Sequence, residues 1–245
     1  MQFPNSPLAR TFSKFGGLTP EQLQLLERTA HETTAEVGPR QDIIVEGKRP
    51  RTIKIILEGW VARYKQLPDG KRQILGLMIP GDICDANAFV IERMDHSLGA
   101  LTRVRYGRIS REDFEGLLTS DPAITRALWC SELTTASIQR EWTANIGQRQ
   151  ARARIAHLFC EMHERLRAVG LSYDYAFDFP LTQSDIGEAT GLTSVHVNRV
   201  LQTMRKDELV ELHHKWLHIV DLAMLRKIAM FDPAYLHGYR GDGDE

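Results

Sequence analysis

Leu181-Thr-Gln-Ser-Asp-Ile-Gly-Glu-Ala-Thr-Gly-Leu-Thr-Ser-Val-His-Val-Asn-Arg-Val-Leu-Gln-Thr-Met204 is the stretch that decides the fold. Thr182 can cap a short helix, with Asp185 three residues on to complete a capping box, and Gly191 ends that helix in a tight turn. Thr193 then caps a second helix. Ile186, Ala189, Leu192, Val197, Val200 and Leu201 supply a shared core, and the small Gly187 lets the two helices approach closely. The pattern is a helix-turn-helix. On the second helix Ser194, His196, Asn198, Arg199 and Gln202 are polar at the start and along one side. A helix entering the DNA major groove needs hydrogen-bonding side chains there. Arg199 fits a bidentate contact to guanine, with Asn198 and His196 reaching neighbouring bases or phosphates.

Downstream, Leu209–Leu212 and Trp216–Val220 alternate as a hairpin, a wing whose tip His213-His214-Lys215 can touch phosphate. The expected DNA-contacting set is therefore Thr182, Gln183, Thr193, Ser194, His196, Asn198, Arg199, Gln202 and Lys215. Thr193 to Lys206 holds Arg199, Arg205 and Lys206 and no acid. That matters because the whole chain of 245 residues carries a formal net charge of only -1. Such a balance argues against a polyelectrolyte that coats nucleic acid and confines any DNA role to a local basic face.

Upstream of the helix-turn-helix the texture is helical from Ser110 to about Val169. Arg111–Leu118 is a short amphipathic piece. Asp121-Pro122 then opens a long segment in which Ile124, Leu128, Ile138 and Trp142 recur at near-heptad spacing, flanked by Trp129, Leu133 and Ala136. Two apolar stripes need two partners: one can dock on the preceding domain and the other on a second copy of the chain, the alternative being a helix buried within one domain. Gly147-Gln148-Arg149-Gln150 reads as a break before a further helix, Ala151–Val169. From His31 to Ser110 the runs Ile43–Val45, Thr52–Leu57, Trp60–Tyr64, Ile74–Ile79 and Val104–Ile109 are β-branched and aromatic. Turn signals at Gly38-Pro39, Gly47, Glu58-Gly59, Pro68-Asp69-Gly70 and Pro80-Gly81 separate them. Many short strands so spaced predict a barrel or jelly roll. Before them, Thr19-Pro20-Glu21-Gln22 opens a short helix ending near Thr29.

This order of elements resembles the cyclic-AMP receptor and fumarate-nitrate regulator (Crp/Fnr) family of bacterial transcription factors from about residue 18 to 232. In the β region the likeness is carried by Ile55-Ile56-Leu57-Glu58-Gly59, Asp69-Gly70-Lys71-Arg72 and Pro80-Gly81-Asp82. The resemblance implies an α+β fold: a β-roll sensor at 18–120, a dimerisation helix at 121–147, a winged helix-turn-helix at 148–232 and a flexible tail at 233–245, Gly- and Asp-rich from Gly238. It also implies a homodimer on palindromic double-stranded DNA, contact with RNA polymerase, and an arginine, here Arg199, that reads guanine. Members that bind a cyclic nucleotide carry a Gly-Glu pair and an Arg-Ser or Arg-Thr clamp on the cyclic phosphate. The matching positions here are Gly81-Asp82 and His96-Ser97, and an imidazole is a poor substitute for a guanidinium. Gly81, Asp82, Cys84, His96 and Ser97 are thus the candidate effector pocket, and the departure argues against cyclic nucleotide. No cysteine precedes Cys84, which argues against an N-terminal iron–sulfur cluster. Ser194 and Val195 stand where many members carry Glu or Arg, and His214-Lys215 where a wing glycine is common.

Composition bounds the rest. A 42% hydrophobic, 26% charged chain is globular, not collagenous or broadly disordered. No apolar run approaches a membrane span, and the N-terminus shows neither a basic nor an apolar leader segment, so a cytoplasmic protein is expected. Cys84, Cys130 and Cys160 read as reduced thiols, Cys84 as a small buried hydrophobe with a redox switch as the alternative. His213, His214 and His218 read as a solvated wing, and His157, Cys160, Glu161 and His163 as helix structure, so no metal site is expected. The four tryptophans read as core and interface anchors. No enzyme signature stands out. Two other function classes fit less of the sequence. A cupin-like metalloenzyme needs histidines inside the barrel, where only His31 and His96 are near. A ligand-binding regulator could instead act on a protein partner.

Overall fold

The structure, a computed structural model, describes residues 5–239. Ser6 caps α1 (Pro7–Gly16) and Thr19 caps α2 (Pro20–Glu32) through a capping box with Gln22. The second helix is the one expected, running on to Glu32, and α1 precedes it. Eight strands follow: β1 (Thr34–Val37), β2 (Asp42–Ile44), β3 (Ile53–Glu58), β4 (Val61–Gln66), β5 (Arg72–Met78), β6 (Ile83–Cys84), β7 (Ser97–Ala100) and β8 (Val104–Ile109). Then come α3 (Arg111–Ser120), α4 (Pro122–Gln148), α5 (Ala151–Ala168), β9 (Ala176–Asp178), α6 (Gln183–Thr190) and α7 (Ser194–Lys206). The chain continues through β10 (Val210–His213), β11 (Trp216–Ile219), α8 (Leu222–Ala229) and a 3₁₀ segment at Pro233–Tyr239. Where a flexible tail from 233 was expected, this segment instead buries Leu236 fully. The part of the tail beyond 239 lies outside the described residues.

Contacts divide the chain into two units. One runs to Lys65 and resumes over Leu77–Ala136; the other holds Gln66–Gly76 and Ser137 onward. Two antiparallel four-stranded sheets, ordered β1-β8-β3-β6 and β2-β7-β4-β5, make the jelly-roll arrangement predicted. Ile44, Ile56, Val61, Met78, Leu98 and Val104 fill the space between strands. Cys84 belongs to that core at 1% exposure, and burial pushes its thiol well above the ordinary range. A thiol so placed is unreactive. On α4, Ile124, Ala127 and Leu128 are buried while Trp129 and Leu133 stand 64% and 58% exposed. The helix therefore has one satisfied face and one unsatisfied, as its two stripes predicted.

In the second unit α5 is almost wholly buried, and Phe159, Phe177 and Phe179 pack edge to face around it. The wing carries a strand the sequence did not disclose: β9 joins β11 to make a three-stranded sheet, β10-β11-β9. Its tip is a two-residue turn in which His214 and Lys215 take φ of 49° and 67°. That backbone suits the right-handed twist of a hairpin and favours glycine or asparagine.

Candidate nucleic-acid interface

Local chemistry explains why the helix-turn-helix closes as it does. The Thr182 hydroxyl accepts from the Asp185 N–H, and the Asp185 carboxylate accepts from the Thr182 N–H at 2.9 Å, so two of the orphan donors at the start of α6 are met. Gly191 ends α6 at φ 69°, a left-handed backbone that costs glycine nothing. Gly187 has a different role. A Cβ there would lie 2.4 Å from the Leu192 carbonyl oxygen, so α6 and the turn can meet only if this residue has no side chain. Thr193 caps α7 by accepting from the His196 N–H. Arg72 and Gln73, in the same unit, brace α6 from outside: Arg72 Nε donates to Glu188 Oε2 at 2.5 Å and its Nη2 to Asp185 Oδ1 at 3.2 Å. Gln73 Nε2 donates to the Glu188 carbonyl.

With α7 fixed, its two faces separate cleanly. Val197, Val200, Leu201 and Met204 are buried, and Val195, Arg199 and Gln202 are exposed on the opposite side with Asn198 half-buried beside them. Gln183, Ser194, Val195, Asn198, Arg199 and Gln202 line a groove of about 340 Å³. Asn198 Nδ2 donates to Gln183 Oε1 at 3.1 Å, which ties the first helix to the reading face of the second. Five of the nine expected contact residues are thus brought together here. Of the others, Thr182 and Thr193 cap the two helices, His196 is exposed on the first turn of α7, and Lys215 sits exposed on the wing turn. Val195 lines the groove but was not in the expected contact set.

The expected effector residues lie in the other unit and have separate local roles. Gly81 forms a turn against Pro7 and Thr11, and Asp82 accepts from the Ile79 N–H at 2.8 Å. Ser97 accepts from the Glu46 N–H. His96 is the exception, because it belongs to a buried ionic cluster with two residues the sequence reading missed. Its Nε2 lies 3.1 Å from Asp85 Oδ2 and its Nδ1 2.7 Å from Asp95 Oδ1, while Arg63 Nη2 donates to Asp85 Oδ1 at 2.9 Å. Burial alone would lower the His96 pKa, but the hydrogen bond and charge of Asp85, with Asp95, carry it above the ordinary imidazole value. Burial likewise works to raise Asp85, and Arg63 and His96 together hold it low. Among the described residues no group of three or more His, Cys, Asp and Glu is placed to hold a metal ion. No described helix is long and apolar enough to cross a membrane.

Comparison with known proteins gives this geometry its context. Residues 153–228 match the Crp-like helix-turn-helix domain and residues 35–121 the cyclic nucleotide-binding domain. The chain belongs to the Crp/Fnr family of transcriptional regulators. This regulator is 25% identical over 198 residues to the transcriptional activator protein FnrL of Cereibacter sphaeroides, covering 80% of this chain and 78% of that protein. It is 27% identical over 174 residues to the nitrogen fixation regulation protein FixK of Bradyrhizobium diazoefficiens, covering 71% and 72%. The structure of FixK2 from Bradyrhizobium japonicum superposes with a TM-score of 0.72 at 21% identity, covering 81% of this chain and 96% of that one. The protein is thus a regulator that binds DNA through its helix-turn-helix, and its relatives are regulators, not enzymes. The relatives give the cupin-like enzyme reading no support.

Proposed function

We propose that this Crp/Fnr regulator binds a palindromic DNA site as a cytoplasmic homodimer. The sensor of residues 18–120 answers to a signal other than cyclic AMP, 121–147 pairs two copies, 148–232 reads DNA, and the bound dimer contacts RNA polymerase. The observation that carries the reading is the stripe of exposed Arg199 and Gln202 with half-buried Asn198 on the face of α7 opposite its core, opening on a groove that Gln183 and Ser194 complete. Arg199 is the residue for a bidentate guanine contact. Pairing is supported by Trp129 and Leu133, two large apolar side chains one helical turn apart that stand 64% and 58% exposed among the described residues. The sensor reading is supported by the buried cluster at His96: Arg63 Nη2 is paired with Asp85 at 2.9 Å, and the position matched to the family's arginine clamp carries an imidazole.

Arg199→Ala is expected to weaken specific DNA binding by about 1–3 kcal/mol and to relax base preference at one position of each half-site, whereas Lys215→Ala weakens all DNA alike. A gel-shift titration at fixed salt on sites selected from random DNA reads both. Unchanged affinity and unchanged preference for Arg199→Ala would remove α7 from the role. Leu133→Glu is expected to give monomers by sedimentation and to lose the palindrome while keeping the fold, since the side chain is exposed. A variant that stays dimeric would place the subunit interface elsewhere.

A further inference from the structure

The face of α7 turned to solvent is polar except in its first turn. Val195 precedes Asn198, Arg199 and Gln202 by three, four and seven residues, so all four fall on one stripe. At 100° per residue the stripe lies opposite Val197, Val200, Leu201 and Met204, which make the core. Val195 is 68% exposed, lines the groove with Gln183 and Ser194, and buries nothing for the fold. Valine is also a mediocre helix former, stiff at χ1. The position is thus filled by a rigid apolar side chain that neither folding nor helix propensity explains, in the middle of hydrogen-bonding groups.

The edges of base pairs in the major groove offer donors, acceptors and one apolar group, the C5-methyl of thymine. A branched aliphatic side chain has no other complementary partner there. Facing cytosine it would leave the exocyclic amine without an acceptor, a penalty that discriminates as effectively as a good contact. We propose that Val195 is a specificity-determining residue that packs on a thymine methyl in each half-site, at a base pair neighbouring the one read by Arg199. The inference rests on the reading of α7 as the recognition helix and adds to it the identity of a base that no hydrogen bond selects.

The test uses the full-length protein. A palindrome is first obtained by selection from random DNA. Each thymine of the half-site is then replaced in turn by deoxyuridine, which removes only the methyl, and affinity is measured by fluorescence anisotropy at fixed salt for the wild type, Val195→Ala and Arg199→Ala. One thymine is expected at which deoxyuridine weakens wild-type binding about fourfold per half-site, the equivalent of one methyl group taken out of contact. Val195→Ala should bind thymine and deoxyuridine at that position equally while keeping the guanine preference that Arg199→Ala loses. Because Val195 is exposed, the variant should melt with the wild type, which separates contact from folding. The proposal is overturned if the selected half-site holds no thymine, or if every thymine responds identically in wild type and Val195→Ala, while Arg199→Ala still loses the guanine preference. If no site is selected and Arg199→Ala changes nothing, the recognition-helix reading itself has failed and this proposal falls with it.

Discussion

Glu161→Ala is expected to cost about 3–5 kcal/mol of stability in the DNA-reading unit, because it strips a buried charge cluster of its centre. Glu161 is fully buried on α5. Its Oε2 accepts from Trp142 Nε1 at 2.9 Å and from the Tyr235 hydroxyl at 2.9 Å, and its Oε1 takes Arg165 Nη1 at 3.3 Å. Three donors from α4, α5 and the C-terminal 3₁₀ segment converge on one carboxylate. Burial first, and then the neighbouring carboxylate, push the Tyr235 phenol well above its ordinary range, so it remains a donor at any working pH. Removing the acceptor takes from the buried Arg165, at 4% exposure, the carboxylate that meets its Nη1, and leaves two neutral donors dry. Glu161→Gln, which keeps an acceptor oxygen but not the charge, should recover part of the loss. Urea denaturation followed by Trp142 fluorescence measures both. A cost for Glu161→Ala within about 0.5 kcal/mol of zero, the range of ordinary surface changes, would mean that the cluster has no part in holding the segment down.

The contrast between this cluster and the helix-turn-helix explains what the sequence could disclose. Caps are local: Thr19 with Gln22 and Thr182 with Asp185 satisfy donors within one turn, and both capping boxes form as their spacing requires. The turn at Gly191 and the packing constraint at Gly187 are equally local. Short strands are not. β6, β7 and β9 are two to four residues long, and Ser97-Leu98-Gly99-Ala100 has almost no β-branched content; it is a strand because β2 and β4 flank it. Such segments owe their conformation to neighbours far along the chain. α1 is a different omission. Ser6-Pro7 is a cap and first-turn pair, and Leu8, Phe12 and Phe15 keep helical spacing, so the signal was present but short. At the interface, Gln183, Ser194, Asn198, Arg199 and Gln202 were legible because helical periodicity places them on one face. Val195 shares that periodicity, but an apolar side chain carries no hydrogen-bonding signal. Arg63 and Asp85 could not be paired in advance, since 22 residues separate them and only the β-roll brings them together.

That pair sets the second large effect, and it is pH-dependent. Asp85→Asn is expected to destabilise the β-roll by about 3–5 kcal/mol, because Arg63, 5% exposed and with its Nε lacking a partner among the described residues, loses the carboxylate hydrogen-bonded to its buried charge. Asparagine is the informative replacement. Asp85 has φ of 55°, which Asn tolerates better than Ala, so the substitution removes charge without adding much backbone strain. The groups around the cluster are Lys54, whose pKa burial lowers, Glu132, whose pKa burial raises, and Asp95 at the surface. The sign follows from the two directions of shift. His96 has a folded pKa above its usual 6.5, so its contribution is complete below 6.5 and is lost as pH rises through the raised value. Asp85 has a folded pKa below 3.8, so its contribution is present above 3.8 and is lost as pH falls below that. The β-roll should therefore be most stable between these limits and weaken from 6.5 upward, and in Asp85→Asn the alkaline arm should shrink because His96 has lost its main partner. His163, in the other unit, has the opposite sense: burial lowers it to about 4, so it adds stability as pH rises from 4 to 6.5. The two arms must be read apart, by hydrogen exchange of peptides spanning β4 and β6 for the first and α5 for the second, each corrected for intrinsic exchange. If β4 protection in the wild type were flat from pH 6 to 8, or fell equally in Asp85→Asn, the Arg63–Asp85–His96 cluster would have no share in the stability of the sensor.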